Sequence, residues 1–476
     1  MIFEPYVSTV LFGLSSLALA YFLVINGTYL TLTVFAITHI RQRTEQESYE
    51  PAGILQSNQF LPGIAIVVPA YNEEKVIVDS VTSLLSLEYP FHEVIVVNDG
   101  STDETVERLV SEFELERIDA EFPVELPCEP VDQIYRASDT DLVVIDKANG
   151  GKADALNAGL FFTEKPLFCA IDADSLIERG ALKAIVEPFL TKPTTTVATG
   201  GTVRIANKVS FEKGVPDDVA LSKNRLVRFQ AVEYLRAFFL GRTGLSRIRS
   251  LIIISGAFGL FDAETLREIG GYDTDSITED MELVVRLHRH LIETDQEYEV
   301  TFLPHPVVWT EVPESLSVLS RQRRRWFRGL LDTLLKHRSA IGRPSYGLVG
   351  LVALPLFLFV EGIGRLVEGL GYISVPVLFI IGILDVWFFI AFLFVSIGLG
   401  AILSTVAILG EVLTYRRYDD PKDVTVLLGY ALFESFSYRP WRAFVSWQAT
   451  FEFLLGDKSW GKMTRSGFED TTDSPE

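Results

Sequence analysis

The chain is short of cysteine and of positive charge. Its 476 residues include two cysteines, Cys128 and Cys169, so no disulfide framework is implied and the soluble part suits a reducing cytosol. Lysine and arginine total 42 against 63 acidic residues, a formal net charge of -21. That balance argues against nucleic acid as a partner, because a phosphate backbone selects a basic footprint. The acidic excess would also suit a high-salt cytoplasm. No internal repeat is evident, and no small-residue cleavage site follows a short apolar region near the start, which argues against a signal peptide.

Apolar residues are plentiful. They make up 48% of the chain and mean hydropathy is positive, which assigns part of the protein to lipid. Residues 7–37 are almost free of charge and are followed by Arg41 and Arg43, so residues 1–42 predict a transmembrane anchor whose C-terminal end is cytoplasmic. Apolar stretches return at 346–370, 375–413 and 424–455. The middle one is too long for a single helix crossing a hydrocarbon core of about 30 Å, so a division is expected near Gly398 and Gly400. The third is expected to kink or break at Pro440. This gives four C-terminal crossings within 345–456 and an acidic cytosolic tail, 457–476. The count leaves Arg416 and Arg417 outside, against the positive-inside tendency. Glu361, Arg365 and Glu368 share one helix face, and either find partners or a wet cavity at depth, or lie near a helix end and snorkel.

Residues 60–338 read as a soluble region. Short β-branched runs at 64–69 and 94–98 flank a stretch of helical periodicity, 73–87, and the runs 142–145 and 167–171 repeat the pattern. Alternating strands and helices predict a mainly parallel sheet covered on both faces, with ligands beyond the carboxyl ends of its strands. The segment 112–140, rich in Glu, Asp and Pro, reads as an extended surface connection.

Polar motifs sit at those strand ends. "VVPAYNEE" (Val67 to Glu74) and "VVNDGSTD" (Val96 to Asp103) each leave a strand for a turn and a helix. Their acids suit helix capping or solvated loops, Ser101 or Thr102 being the plausible cap, whereas Asp99 stands where a ligand would lie. "AIDADS" (Ala170 to Ser175) sets Asp172 and Asp174 one residue apart, a costly arrangement unless a cation or donor lies between them; hard oxygen ligands favour Mg2+ or Mn2+. In "NGGKADALNAG" (Asn149 to Gly159), two glycines allow close backbone approach and Lys152 opens a helix, a natural site for phosphate although the P-loop spacing is absent. "SGAFGLF" (Ser255 to Phe261) suits either a channel wall or tight packing. In "SITEDMEL" (Ser276 to Leu283), Thr278 is the expected N-cap. Dipole complementation accounts for Glu279, and Asp280 is a candidate base.

From about residue 64 to 326, "PAYNEE", "NDGS", "GGKADALN", "DAD", "TED" and "QRRRW" resemble, in order and spacing, the membrane-embedded family 2 glycosyltransferases, which include cellulose, hyaluronan and poly-N-acetylglucosamine synthases. "WGKMTR" (Trp460 to Arg465) is similar to the C-terminal signature of the last type. The resemblance implies an α/β fold, a cytosolic GT-A (Rossmann-like) domain flanked by transmembrane and interfacial helices, and inversion at the anomeric carbon. It implies a UDP-sugar donor, UDP-N-acetylglucosamine or UDP-glucose, and a divalent metal. Pro69, Tyr71, Glu73, Asp99, Lys152, Asp172 and Arg325 fall to the donor by this likeness, Asp172 and Asp174 to the metal, and Asp280 to base catalysis. Ser255, Gly256, Glu279, Gln322 and Trp326 fall to the acceptor.

The arginine cluster in "SRQRRRWFRG" (Ser320 to Gly329) stands out in so acidic a chain. Gln322, Arg325 and Trp326 share one helix face, where a guanidinium fork suits a diphosphate and an indole suits the apolar face of a sugar. Arg323 and Arg324 are expected to face anionic lipid headgroups. The reading is a multi-pass enzyme of the cell membrane, its catalytic domain cytoplasmic, acting on a growing polysaccharide or a lipid-linked acceptor among membrane lipids, with room for accessory secretion proteins. Single-sugar transfer to a lipid carrier is the alternative, and an inactive transporter or scaffold is the alternative of another class.

Overall fold

The computed structural model describes residues 3–49, 61–119, 128–212, 215–415, 418 and 420–456. The acidic tail and the "WGKMTR" motif lie outside these. The chain forms two compact units. One comprises Met1–Arg41, Leu221–Ile248 and Pro313–Lys462, and the other Gln42–Ala220, Arg249–Val312 and Met463–Glu476. The boundary differs from the linear reading of 60–338: the helix of the arginine cluster and the segment Leu221–Ile248 group with the apolar helices.

The α/β unit is built on a ten-stranded sheet. Its strands are β1 (Ile64–Ala70), β2 (His92–Asp99), β3 (Glu116–Ile118), β4 (Val131–Arg136), β5 (Leu142–Lys147), β6 (Leu167–Ala170), β7 (Ser175–Ile177) and β8 (Thr196–Ile205), then β11 (Gly259–Asp262) and β12 (Glu299–Thr310); β9 (Val209–Glu212) and β10 (Val215–Val219) pair as a separate ribbon. Sheet order is β3-β4-β5-β2-β1-β6-β11-β8-β12-β7. The central strands β5, β2, β1 and β6 are parallel, and their near-continuous apolar runs are buried, as strands covered on both faces require. The expected mainly parallel sheet holds for this core alone. β11 enters antiparallel between β6 and β8, and β4 is antiparallel to β5, so the sheet is mixed. The reading of 112–140 as an extended connection is likewise corrected, since β3 and β4 arise from it and pair antiparallel at the edge. Charged residues there face outward along a half-exposed strand, which hides the strand signal.

Among the described residues, three helices are long and apolar enough to cross a membrane: Thr9–Gln42, Val349–Ile380 and Val386–Tyr415. The expected division at Gly398 and Gly400 does not occur. The break falls at residues 381–385, where Gly382 has φ +79° and Asp385 caps the next helix through the amides of Trp387 and Phe388. The last apolar stretch is broken before Pro440, into Pro421–Phe433 and Tyr438–Leu454, helices of 13 and 17 residues, neither among the three. Glu361, Arg365 and Glu368 are paired: Arg365 bonds Glu361 at 2.8 Å and Glu368 at 3.0 Å, Tyr372 donates to Glu368, and Tyr29 donates to Glu361. The snorkelling alternative is thereby set aside.

Candidate active site

Register brings the carboxyl ends of the central strands together, Ala70 opposite Asn98 and Asp99 opposite Lys147. The turns after β1 and β2 are laced to each other. Asn72 donates its amide to Ser101 Oγ and accepts from Thr102 N, the Glu73 amide donates to Thr105 Oγ1, and the Glu74 amide donates to Asp103. Ser101 and Thr102 therefore tie the turns rather than cap the following helix; Asp103 accepts from the Thr105 amide there. Pro69, next to last in β1, is half-buried, Tyr71 is exposed and Glu73 is buried.

Asp99 is buried, and its carboxylate accepts from Lys147 Nζ at 2.9 Å, Gly150 N at 2.9 Å and Gly151 N at 2.8 Å. The glycine amides expected to approach a phosphate are thus turned inward to Asp99. The loop presents Lys152 instead, at the start of the helix Lys152–Phe162. Lys152 Nζ lies 2.5 Å from Asp172 Oδ1 and 3.2 Å from Glu279 Oε1. Burial opposes its charge, but Asp172 and Glu279 overcome this and hold its pKa above the ordinary lysine value.

Asp280 opens the helix Glu279–Glu293. Its carboxylate accepts from the Met281 amide at 2.8 Å and the Gly256 amide at 3.3 Å. A side chain at Gly256 would put a Cβ 3.0 Å from Lys152 Nζ, so glycine keeps the approach to this group open. Ser255 stands beside it, half-buried. Thr278 occupies the N-cap position as expected, but its hydroxyl makes no capping bond. Asp174, in the loop after β6, is raised to about 7 by burial and by Asp172. Two neighbouring carboxylates form a donor set suited to a hard cation. Among the described residues no group of three or more His, Cys, Asp or Glu side chains is arranged to hold a metal. Two carboxylates suffice where substrate phosphates and water complete the sphere, as is usual for Mg2+.

Gln322, Arg325 and Trp326, assigned by the family likeness, lie on the helix Leu316–Lys336 of the helical unit. Gln322 and Arg325 are half-buried and Trp326 is 37% exposed, with the Arg323 guanidinium 4.3 Å from its ring centroid. The assignment of Arg323 and Arg324 to lipid headgroups is overturned. Arg323 is buried and pairs with Glu233 at 2.9 Å, and Arg324 pairs with Glu452. Glu233 also binds Arg442 and accepts from Tyr438. Burial raises the Glu233 pKa, but Arg323 and Arg442 outweigh it and lower the value to about 2.

Lys147, Asp154 and Asn157 were not singled out from the sequence. Asn157 bonds both the amide and the carbonyl of Tyr272, fastening the Lys152 helix to the turn before Asp280. Asp154 and Asn157 lie within "GGKADALN", a signal that was available; Lys147 ends β5 after the apolar run 142–145.

A family model described as glycosyltransferase like family 2 matches residues 62–329. Poly-beta-1,6-N-acetyl-D-glucosamine synthase of Staphylococcus epidermidis is 32% identical over 284 residues, 60% of this chain and 58% of that protein. The protein of the same description from Staphylococcus aureus (strain COL) is 29% identical over 278 residues, 58% of this chain and 56% of its own length. The match thus spans little more than half of these relatives. A solved mannosyltransferase from Pyrobaculum calidifontis, in complex with GDP-Man and Mn2+, aligns with a TM-score of 0.48 at 19% identity, over 87% of this chain and 99% of that one. The residues matched by the family model run from β1 through the arginine cluster, and the chain belongs to glycosyltransferase-like family 2.

Proposed function

We propose that the protein is an inverting membrane glycosyltransferase, a processive polysaccharide synthase that uses a UDP-sugar. The carrying observation is the pairing of a backbone-held carboxylate, Asp280, with the Lys152, Asp172 and Glu279 cluster at the end of the sheet. The description of its relatives as poly-N-acetylglucosamine synthases favours UDP-N-acetylglucosamine over UDP-glucose.

Asp280 takes the proton of the acceptor hydroxyl as that oxygen attacks the anomeric carbon. The amides of Gly256 and Met281 hold its carboxylate in place. Lys152 meets the negative charge that develops on the leaving diphosphate. Asp172 and Asp174 would hold Mg2+ or Mn2+, which supplies Lewis-acid stabilisation of that charge. The Arg325 guanidinium suits a diphosphate and the Trp326 indole suits the apolar face of a sugar. Tyr71 and Glu73, with Pro69, line the donor side of the strand ends.

The membrane reading is multi-pass with the catalytic unit in the cytoplasm. With Thr9–Gln42, Val349–Ile380 and Val386–Tyr415 as crossings, the ends at Gln42 and Tyr415 fall on one side.

Purified protein in lipid, incubated with a panel of nucleotide-sugars and Mn2+, tests the function through nucleotide release and product size. Release of UDP with long polymer is expected. A single sugar added to a lipid would replace processive synthesis with single transfer, and no turnover with any donor would remove the enzymatic reading.

A further inference from the structure

Lys147 is the last residue of β5 and is 1% exposed. Its ammonium has three protons and three partners: Asp99 Oδ1, Asp154 Oδ1 and the Ala148 carbonyl. Asp99 and Asp154 are equally buried, at 4%. Each carboxylate also carries backbone. Asp99 takes the amides of Gly150 and Gly151, and Asp154 takes the Glu129 amide at 2.9 Å. One buried cation thus joins the end of β2, the end of β5 and the first turn of the helix Lys152–Phe162.

The loop between those elements has little freedom. Gly151 has φ +92°, where a side chain would be strained, and a Cβ at Gly150 would lie 2.5 Å from the Asp154 carboxyl carbon. The turn rests directly on the Asp154 carboxylate and is pinned by Asp99. The next residue is Lys152, whose ammonium reaches Asp172 and Glu279. Removing the Lys147 charge would leave two buried carboxylates side by side, and their repulsion would act on both supports of this turn.

We propose that Lys147, clamped between Asp99 and Asp154, is a positioning residue that sets the Gly150–Gly151 turn and through it aims Lys152 at the diphosphate of the donor. The proposal rests on the reading of Lys152 as a donor ligand. It assigns Asp99 and Asp154 to the same clamp, where their carboxylates carry Lys147 and the backbone amides.

The test uses the full-length protein in lipid, UDP with Mg2+ as the binding probe, and steady-state kinetics with the nucleotide-sugar that wild type turns over. The double variant Lys147→Met, Asp154→Asn keeps the net charge of the cluster and so limits the burden on folding. It should bind UDP on the order of 10- to 100-fold more weakly, with a parallel rise in KM and a much smaller change in kcat, as misplacement of a binding group predicts. Asp154→Asn alone, nearly isosteric and still able to accept from Glu129 N, should show the same split to a smaller extent and decides the matter if the double variant does not fold. Wild-type UDP affinity in either folded variant, or a loss of kcat at unchanged KM, would overturn the proposal. A lowered Tm with unchanged UDP affinity would leave Lys147 a purely structural residue and equally overturn it. Wild-type protein that binds no UDP would instead bring down the donor reading itself.

Discussion

Asp280 and Asp172 are both acids at element ends, yet their surroundings give them different work. Asp172 is held by an ammonium, whereas the Asp280 carboxylate is bonded by the backbone amides of Gly256 and Met281. An amide at position 280 fills the same space and cannot take a proton. Asp280→Asn should therefore retain UDP affinity while kcat falls by about 10²–10⁴; calorimetry and initial rates on one preparation check both halves. His288 illustrates a group whose environment, not its sequence, sets its charge. Its Nε2 donates to the Leu251 carbonyl and its Nδ1 is bonded to the Tyr298 hydroxyl. Burial depresses its pKa to about 4 from an ordinary 6.5. The folded state then binds fewer protons than the unfolded state between those values, so stability present above pH 6.5 is lost as pH falls toward 4. The loss is roughly 3 kcal/mol. Tm should decline over that window in wild type, and His288→Gln should flatten the decline.

At the scale of elements, the helix Leu316–Lys336 answers why so acidic a chain concentrates arginine. Arg323 and Arg324 have acidic partners on other helices of the same unit, Glu233 and Glu452. Such partners are distant in sequence, and helical periodicity identifies only neighbours three and four residues away. Trp326 remains partly exposed, with Arg323 against its ring. A ring supported in this way suits sugar stacking on its other face. Trp326→Ala should shorten the polymer while donor affinity stays within a few-fold, by a loss on the order of 1–3 kcal/mol in acceptor positioning. Product sizing beside UDP binding makes the comparison, and unchanged polymer length from the variant would remove the stacking role.

For the whole molecule, the proposed multi-pass topology carries a definite consequence. If Val386–Tyr415 crosses the membrane, as proposed, the break at residues 381–385 lies on the side opposite to Lys422. Ile381 and Lys422 are both exposed. In a Cys128→Ser background, Ile381→Cys should react with a membrane-impermeant maleimide from the outer face of sealed cells. Lys422→Cys should react only after the membrane is opened. Labelling of both from outside would overturn the cytoplasmic assignment.

The strand runs, the order of the polar motifs at their ends and the apolar helices were determined by the sequence alone. Each is written in local periodicity: β-branched runs that end in turn residues, or long uncharged stretches. Asp99 and Asp172 were placed at strand ends for that reason, since parallel strands bring their carboxyl ends to one edge. Only the tertiary structure decided that the glycine amides turn inward to Asp99, and that β3 and β4 extend the sheet from a charged segment. It also decided that Lys147 neutralises two buried acids, and that the arginines pair with Glu233 and Glu452. These outcomes depend on which charges folding removes from water together. A buried charge requires a partner wherever along the chain that partner lies, and one-dimensional patterning does not name it.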